Sequence, residues 1–600
     1  MRRIAGDLRP DQIARAGLLL VFITLLTLTW RKWGYLPVDV GREMYVPAAI
    51  ATGKRLYFDL WYLYGPLIPY WHAALFRVFG IHLGILLAAG VSIVGITATL
   101  LYSISRIFLP VWLSFAAVFA FLMQAFQLNI FNYVLPYAYP AAYGAMFSIF
   151  MVWLLLRYGY EPSLRYLVPA AFLACLMMLT KLEFGVMGYA VIGCALAIEA
   201  VRTRSIRGLA RGLAICVPGV VVWLGIYGWY VHAGGADFFL GENLSILPGS
   251  HFVTHFSKTW NDFTGLVLTP SALAITAAIG LSSFGILAGS IMLAARSRWA
   301  RWLLPAIALF ICAVPFALPD SQTANGVARF MFFNPGMVWV CVVVFSMAVA
   351  AWWRTDDPAA QQSTIMLSTM AILSSVRVLT KVAPSGYSVF FDTLVYLVWL
   401  VGLYRVLKRF PVHLDGRTGK VLAGILCVSM VAVTFQNYPV RQRPAMVSSE
   451  RGMLYASSGL GQSFSQVLTF LEAAKQRSQR FVILPEDTAL YFFSGTSAPS
   501  RWYVVIPPDL PPGEATARYI DELERADLRY VIVSNRATPE YGLPLFGVDY
   551  GQPIFAWLHE HYQVVQRIGE YEAVPYPREW GVLIYERKPV PAPADAGATR

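Results

Sequence analysis

Long apolar runs recur through the first three quarters of the chain, separated by short charged segments or by clusters of Pro, Gly and Asn. Thirteen of them approach the roughly 20 apolar residues a helix needs to cross bilayer hydrocarbon. They lie near residues 14–30, 83–105, 110–128, 137–157, 165–180, 184–201, 212–232, 270–294, 302–318, 330–353, 363–379, 386–407 and 420–436. The pattern predicts an α-helical polytopic membrane bundle of about 13 transmembrane helices over residues 1–438. Pro66 to Gly80 is apolar but only half long enough, and it carries His72 and Arg77, so it reads as a helix lying at the interface. After residue 438 the pattern changes. Charge rises, prolines multiply, and short β-rich runs such as Phe481–Leu484 and Tyr530–Val533 flank an amphipathic stretch from Ala515 to Ala526. A C-terminal soluble α/β domain is expected over 439–588, and a disordered tail over 589–600.

Composition agrees with lipid as the solvent for much of the chain: 600 residues, 57% hydrophobic and 14% charged, with a mean hydropathy of +0.56. The first run is followed directly by Arg31 and Lys32 with no small-residue cleavage site, which reads as a retained span rather than a signal peptide. The net charge of +13 does not point to nucleic acid, because the basic residues are scattered among short loops, where membrane orientation accounts for them. With the N-terminus inside, the inner loops receive Arg2, Arg3, Arg9 and Arg15, then Arg202, Arg204, Arg207 and Arg211, then Arg296, Arg298 and Arg301, then Arg405, Lys408, Arg409, Arg417 and Lys420. An odd number of spans then puts the C-terminal domain outside. All six cysteines sit inside apolar runs without metal or disulfide spacing.

The first outer loop, residues 31–81, is rich in Tyr and Trp and holds both acids and bases. Two short amphipathic stretches run from Val40 to Thr52 and from Pro66 to Phe79. Its polar candidates are Asp39, Arg42, Glu43 and Asp59. On a helix starting near Asp39, the three- and four-residue spacing sets Arg42 and Glu43 on one face with Asp39. Those same residues also suit a helix cap with a local ion pair. The outer ends of several spans carry Lys181, Arg329, Arg377 and Lys381, where the positive-inside tendency would not place them. With Arg42, Lys54 and Arg55 they are expected to rim one outer cavity suited to an anionic phosphate lipid. The alternative is snorkelling to headgroups, with local pairs such as Lys181 with Glu183 and Arg377 with Asp392.

The string Asp39-Val-Gly-Arg-Glu-Met-Tyr45, then Gly53, Leu56-Tyr-Phe-Asp59, Gly65-Pro-Leu67, Tyr70-Trp71 and Leu75 to Gly80, resembles the first outer loop of polyprenyl-phosphate-sugar-dependent glycosyltransferases of the C superfamily. Protein O-mannosyltransferases and lipid A aminoarabinose transferases belong to it. The resemblance implies a bacterial inner-membrane enzyme that takes a sugar from a polyprenyl phosphate donor and passes it, with inversion, to a glycan, lipid or protein acceptor at the outer face. It implies Asp39 as catalytic base; Asp59, lying in the same loop and equally able to face the cavity, is the competing base. Arg42, Lys181, Arg329 and Arg377 are then expected to hold the donor phosphate. No cofactor and no metal is expected. One departure is Gly65, which stands before Pro66 where many relatives have a lysine before a proline pair. Arg329-Phe-Met-Phe-Phe-Asn-Pro335 also looks like the basic-aromatic-proline segment of a late span in such transferases.

His251 and His255 have helical metal-ligand spacing but no clear third ligand. Their loop, Gly234 to Leu268, also holds Asp237, Glu242 and Asp262 and is a candidate wall of the acceptor cleft. Walker, dinucleotide and serine-elbow sequences are not evident, which argues against ATP-driven transport and nucleotide-sugar chemistry. A non-enzymatic transporter or flippase of a lipid or polysaccharide is the rival reading. It explains spans and buried charge, but not the acid-bearing aromatic loop or the soluble domain. That domain is expected to serve acceptor binding or stability rather than chemistry, with Glu486, Asp487 and Glu540 as exposed acids.

Overall fold

The computed structural model describes residues 8–296, 333–354, 358–410 and 416–589. The expected run at 302–318, together with Arg298, Arg301, Arg329, Cys312 and the tail from 590, lies outside them.

Within the described residues each expected run is a helix: α1 (Leu8–Thr29), α4 (Leu83–Phe108), α5 (Val111–Ala125), α6 (Tyr139–Tyr160), α7 (Leu164–Thr180), α8 (Leu182–Thr203), α9 (Ile206–Gly234), α11 (Pro270–Arg296), α12 (Met337–Trp352), α13 (Pro358–Val376), α14 (Thr393–Arg409) and α15 (Arg417–Thr434). Seven of them, α1, α4, α6, α8, α9, α11 and α15, are long and apolar enough to cross a membrane, while α5, α7 and α12 are shorter apolar helices. At about 1.5 Å per residue, those shorter three fall below the roughly 30 Å of hydrocarbon, and α5 is buried along most of its length. α13 is less apolar because it turns Gln362, Ser363, Thr364 and Ser368 into the bundle. α14 begins seven residues later than its apolar run does, since Pro384, Ser385 and Gly386 break the helix and leave an irregular segment up to Asp392. Apolar side chains such as Leu20, Val221, Leu224 and Trp229 stay exposed on the bundle surface, as lipid contact requires.

Two short helices form in the first long loop, α2 (Val40–Ala51) and α3 (Leu67–Phe79). α3 keeps an exposed apolar edge of Tyr70, Trp71, Val78 and Phe79, the form of a helix lying at an interface. α2 differs from the amphipathic expectation: Val40 through Ile50 are all buried. The C-terminal domain covers it. Gly41 makes this possible, because a Cβ there would stand 2.2 Å from the backbone nitrogen of Ala489.

In that domain the strands β1 (Ala445–Ser449) and β2 (Gly452–Ala456) form a hairpin, and β3 (Phe481–Leu484), β4 (Tyr530–Ser534), β5 (Tyr562–Gly569) and β6 (Gly581–Arg587) form a sheet of order β3-β4-β6-β5. β3 and β4 are parallel, and the remaining neighbours are antiparallel. Alternation sorts the side chains. Val482, Leu484, Val531 and Val533 face Tyr519 and Leu523 of α18 (Glu514–Arg525) and Ile554 and Leu558 of α19 (Gln552–His561). Phe481, Ile483 and Ile532 face Phe464, Val467 and Leu471 of α16 (Ser458–Gln476), together with the buried α17 (Ala489–Ser494). This second core is continuous with the apolar core of the helical bundle.

The first long loop is tied to the domain by polar bonds as well. Arg443 donates to the carbonyls of Gly34 (2.6 Å) and Leu128 (2.7 Å), and Ala498 N donates to the Tyr45 hydroxyl at 2.9 Å. Trp61 N donates to Arg501 O (3.0 Å), and the Tyr503 hydroxyl donates to Trp61 O (2.8 Å).

Candidate active site

A cavity of about 740 Å³ opens between this loop, the helix ends and the C-terminal domain. It brings together Asp39, Arg42, Lys181 and Arg377, which come from three distant parts of the chain.

Asp39 stands at the start of α2, its side chain 26% exposed, and lines the cavity. It makes no side-chain cap. Its carboxylate instead meets Arg42 Nη1 at 3.0 Å. Removal from bulk water pushes its pKa up, and Arg42 opposes that shift. Arg42 is almost wholly buried and held from several sides: Nε lies 3.3 Å from Glu43 Oε1, Nη2 donates to Tyr137 O at 2.9 Å, and the guanidinium sits over the Tyr64 ring at 5.4 Å. Glu43 accepts from Tyr139 N at 2.9 Å, and burial pushes its pKa up to about 7. The local ion pair expected here is therefore present, but it is turned into the cavity.

Lys181 lies where α7 ends and α8 begins. Gly65 packs the loop onto this corner so closely that a Cβ would fall 2.2 Å from Leu179 O, and Gly65 N donates to Thr180 O at 3.1 Å. Tyr64 is thereby laid over the ammonium, 5.3 Å away. Lys181 Nζ meets Glu183 Oε1 at 2.8 Å, as expected from sequence, and donates to the Tyr387 hydroxyl at 3.0 Å. Arg377 does not pair with Asp392. Its Nη1 donates to Asn261 Oδ1 at 2.9 Å, and its Nε lies 3.8 Å from Glu183. Asp392 turns the other way, accepting from Gln124 Nε2 (3.2 Å) and Ser388 Oγ (3.1 Å), and so fixes the irregular segment that carries Tyr387.

Asp59 is not among the lining residues. It is held by Arg55, with Nη2 to Oδ1 at 3.0 Å and Nε to Oδ2 at 3.1 Å, and those bonds keep its pKa low. Lys54 and Asp59 line a separate, open cleft of about 890 Å³. Lys381 lies against Phe263, so the cationic rim is narrower than the sequence suggested. His251 Nε2 is 2.9 Å from Pro507 O. Among the described residues no three His, Cys, Asp or Glu side chains gather as a metal site.

The C-terminal domain contributes more than expected. Glu486 and Asp487 are buried rather than exposed. They follow β3, and Arg536 and Glu540 follow β4, so the carboxyl ends of both parallel strands point at the cavity, where open α/β sheets carry their ligands. Arg536 Nε donates to Glu486 Oε2 at 2.8 Å, and Nη2 donates to Glu540 Oε1 at 2.5 Å. Burial pushes Glu486 up to about 8 against the pull of Arg536. Asp487 accepts from Trp580 Nε1 at 2.8 Å and from the Ser534 hydroxyl, and burial pushes it up to about 7. Arg536, Glu540, Tyr541 and Asp509 line the cavity beside Asp39 and Arg42. Acids and an arginine placed just after the apolar runs FVIL and YVIV were the available sequence signal.

The arrangement is therefore two-ended: cations and tyrosines at the helix ends, carboxylates and Arg536 at the domain, and Asp39 between them.

No protein-family model matches the chain, and no curated protein matches it in sequence. In structure it resembles several solved membrane proteins at low identity. It matches the oligosaccharyltransferase AglB of Archaeoglobus fulgidus in complex with an inhibitory peptide and a dolichol-phosphate, at 12% identity over 87% of this chain and 70% of that one, TM-score 0.45. A second structure of the A. fulgidus oligosaccharyltransferase, with Zn and sulfate, matches at 12% identity over 86% and 68%, TM-score 0.48. ArnT from Cupriavidus metallidurans bound to undecaprenyl phosphate matches at 13% identity over 97% and 98%, TM-score 0.44. At such values the likeness concerns the path of the chain, and no residue role is carried over from it.

Proposed function

We propose that this chain is a membrane glycosyltransferase that moves a sugar from a polyprenyl phosphate to an acceptor on the side of the membrane that carries the C-terminal domain, the outer face of a bacterial inner membrane. The observation that supports it most is the cavity itself, where a partly open carboxylate, Asp39, stands beside Arg42 and across from Lys181 and Arg377. The bond that forms joins the acceptor oxygen or nitrogen to the anomeric carbon. The bond that breaks joins that carbon to the phosphate oxygen. Asp39 takes the proton of the nucleophile, and the leaving lipid phosphate carries away the electron pair. Its growing negative charge is met by Lys181, Arg377 and Arg42, whose positions are already fixed by Tyr387, Asn261 and Tyr137. A single displacement of this kind inverts the anomeric centre.

Binding of undecaprenyl phosphate to the purified full chain tests this reading. Affinity should fall by at least about tenfold in Lys181→Ala and in Arg377→Ala, since each removes a charge-assisted contact. Equal affinity in wild type and both variants would refute the donor site. Substrate uptake into vesicles without covalent transfer would favour a transporter instead.

A further inference from the structure

The reaction just proposed leaves Asp509 without a task. Asp509 is 7% exposed and lines the cavity, and its carboxylate has no hydrogen bond or ion pair among the described residues. Its backbone is fixed by a tight turn after Pro507 and Pro508, with Asp509 N donating to Ile506 O at 3.0 Å. It lines the same cavity as Asp39 and Arg42, where burial raises its pKa and the charge of Arg42 opposes that shift. A buried carboxyl without a partner is costly. Among the cavity carboxylates Asp39, Glu183 and Glu540 each have a cation within 3.0 Å. Among the described cavity carboxylates Asp509 is the one without an ion pair, which leaves it open to a ligand.

Aromatic rings line the same cavity. Trp260 and Tyr541 lie nearly parallel, 6.2 Å apart at 18°, and Tyr387 meets Trp260 edge-on at 5.9 Å. The charge of Asp509 acts on Tyr541 as well. Aromatic rings and an unpaired carboxyl in one cavity match a pyranose, which offers C–H bonds on one side and hydroxyl donors around its rim. An extended peptide would want a strand edge to pair with. Among the described residues, none that lines the cavity belongs to a β-strand.

Resting on the transferase reading above, we propose that Asp509 positions the acceptor and that the acceptor is a sugar. Its ring packs on Trp260 and Tyr541, one hydroxyl is directed at Asp39, and a neighbouring hydroxyl bonds Asp509. The C-terminal domain thus supplies the acceptor half of the site.

The test uses the full chain in nanodiscs loaded with undecaprenyl phosphate. Saturation-transfer NMR reads the binding of methyl hexopyranosides and of a serine- and threonine-containing hexapeptide, both at millimolar concentration. A glycoside should bind wild type, and Asp509→Asn should weaken it at least tenfold, with undecaprenyl phosphate affinity and Tm unchanged. Tyr541→Ala should also weaken it, without loss of undecaprenyl phosphate. The proposal falls if only the peptide binds, if no glycoside binds wild type, if Asp509→Asn binds glycoside as wild type does, or if that variant loses affinity only together with Tm. Failure of wild type to bind undecaprenyl phosphate would instead bring down the donor reading on which this one rests.

Discussion

Arg42 holds Asp39 and Glu43 at once, so its charge sets how readily Asp39 gives up its proton. A general base works only when deprotonated, so the transfer rate should rise with pH as Asp39 loses its proton. Arg42 lowers that pKa while burial raises it. Arg42→Ala should therefore move the acid limb of the rate–pH profile to higher pH, besides weakening donor binding and turnover together. A limb left in place in that variant would exclude Asp39 as the titrating base. These residues were legible in the sequence because Asp39, Arg42 and Glu43 share a helical spacing, and because Lys181 and Arg377 sit where the charge rule for loops does not want them. That Asp509, Arg536 and Glu540 stand beside Asp39 was not legible. Nothing local ties a loop after residue 506 to the start of α2, and only the docking of the domain brings them together. Asp59 misled for a related reason: its loop position suited a base, but Arg55, four residues earlier, claims its carboxylate.

Helix α2 shows how packing overrode pattern. Its mixed sequence read as a surface helix, yet the C-terminal domain buries it, with Gly41 in contact with the first residue of α17. Gly41→Val should cost about 1–3 kcal/mol through overpacking and lower Tm, and an unchanged Tm would deny the close approach. The ends of β3 and β4 carry a pH dependence of definite sign. Glu486 and Asp487 have folded pKa values of about 8 and about 7, above their unfolded values, so folding favours the neutral forms. That stabilisation is complete below the unfolded values, 4.5 and 3.8, and is lost as pH rises through the folded ones. Thermal unfolding should thus give a lower Tm at about pH 9 than at about pH 5, and Asp487→Asn should narrow the gap. A Tm that rises over this range would contradict the assigned direction.

At the scale of the molecule, bundle and domain share an apolar core, and the cavity that holds Asp39 lies between them. Residues 439–588 expressed alone should therefore expose the face of α17 that packs on α2 and elute as aggregates in size-exclusion chromatography. A stable monomer would show that the domain folds without the bundle. The positions of the apolar helices and the mixed α/β character of the last quarter followed from hydropathy and from the change of period. The number of helices able to cross alone did not, because short buried helices such as α5 are as apolar as spans. Which acid acts on the acceptor tests the account most directly. In purified, folded protein supplied with lipid-linked sugar from native membranes, Asp39→Asn should cut transfer by about 100-fold or more while still binding undecaprenyl phosphate, and Asp59→Asn should transfer at close to the wild-type rate. An active Asp39→Asn enzyme beside a dead Asp59→Asn enzyme would contradict it.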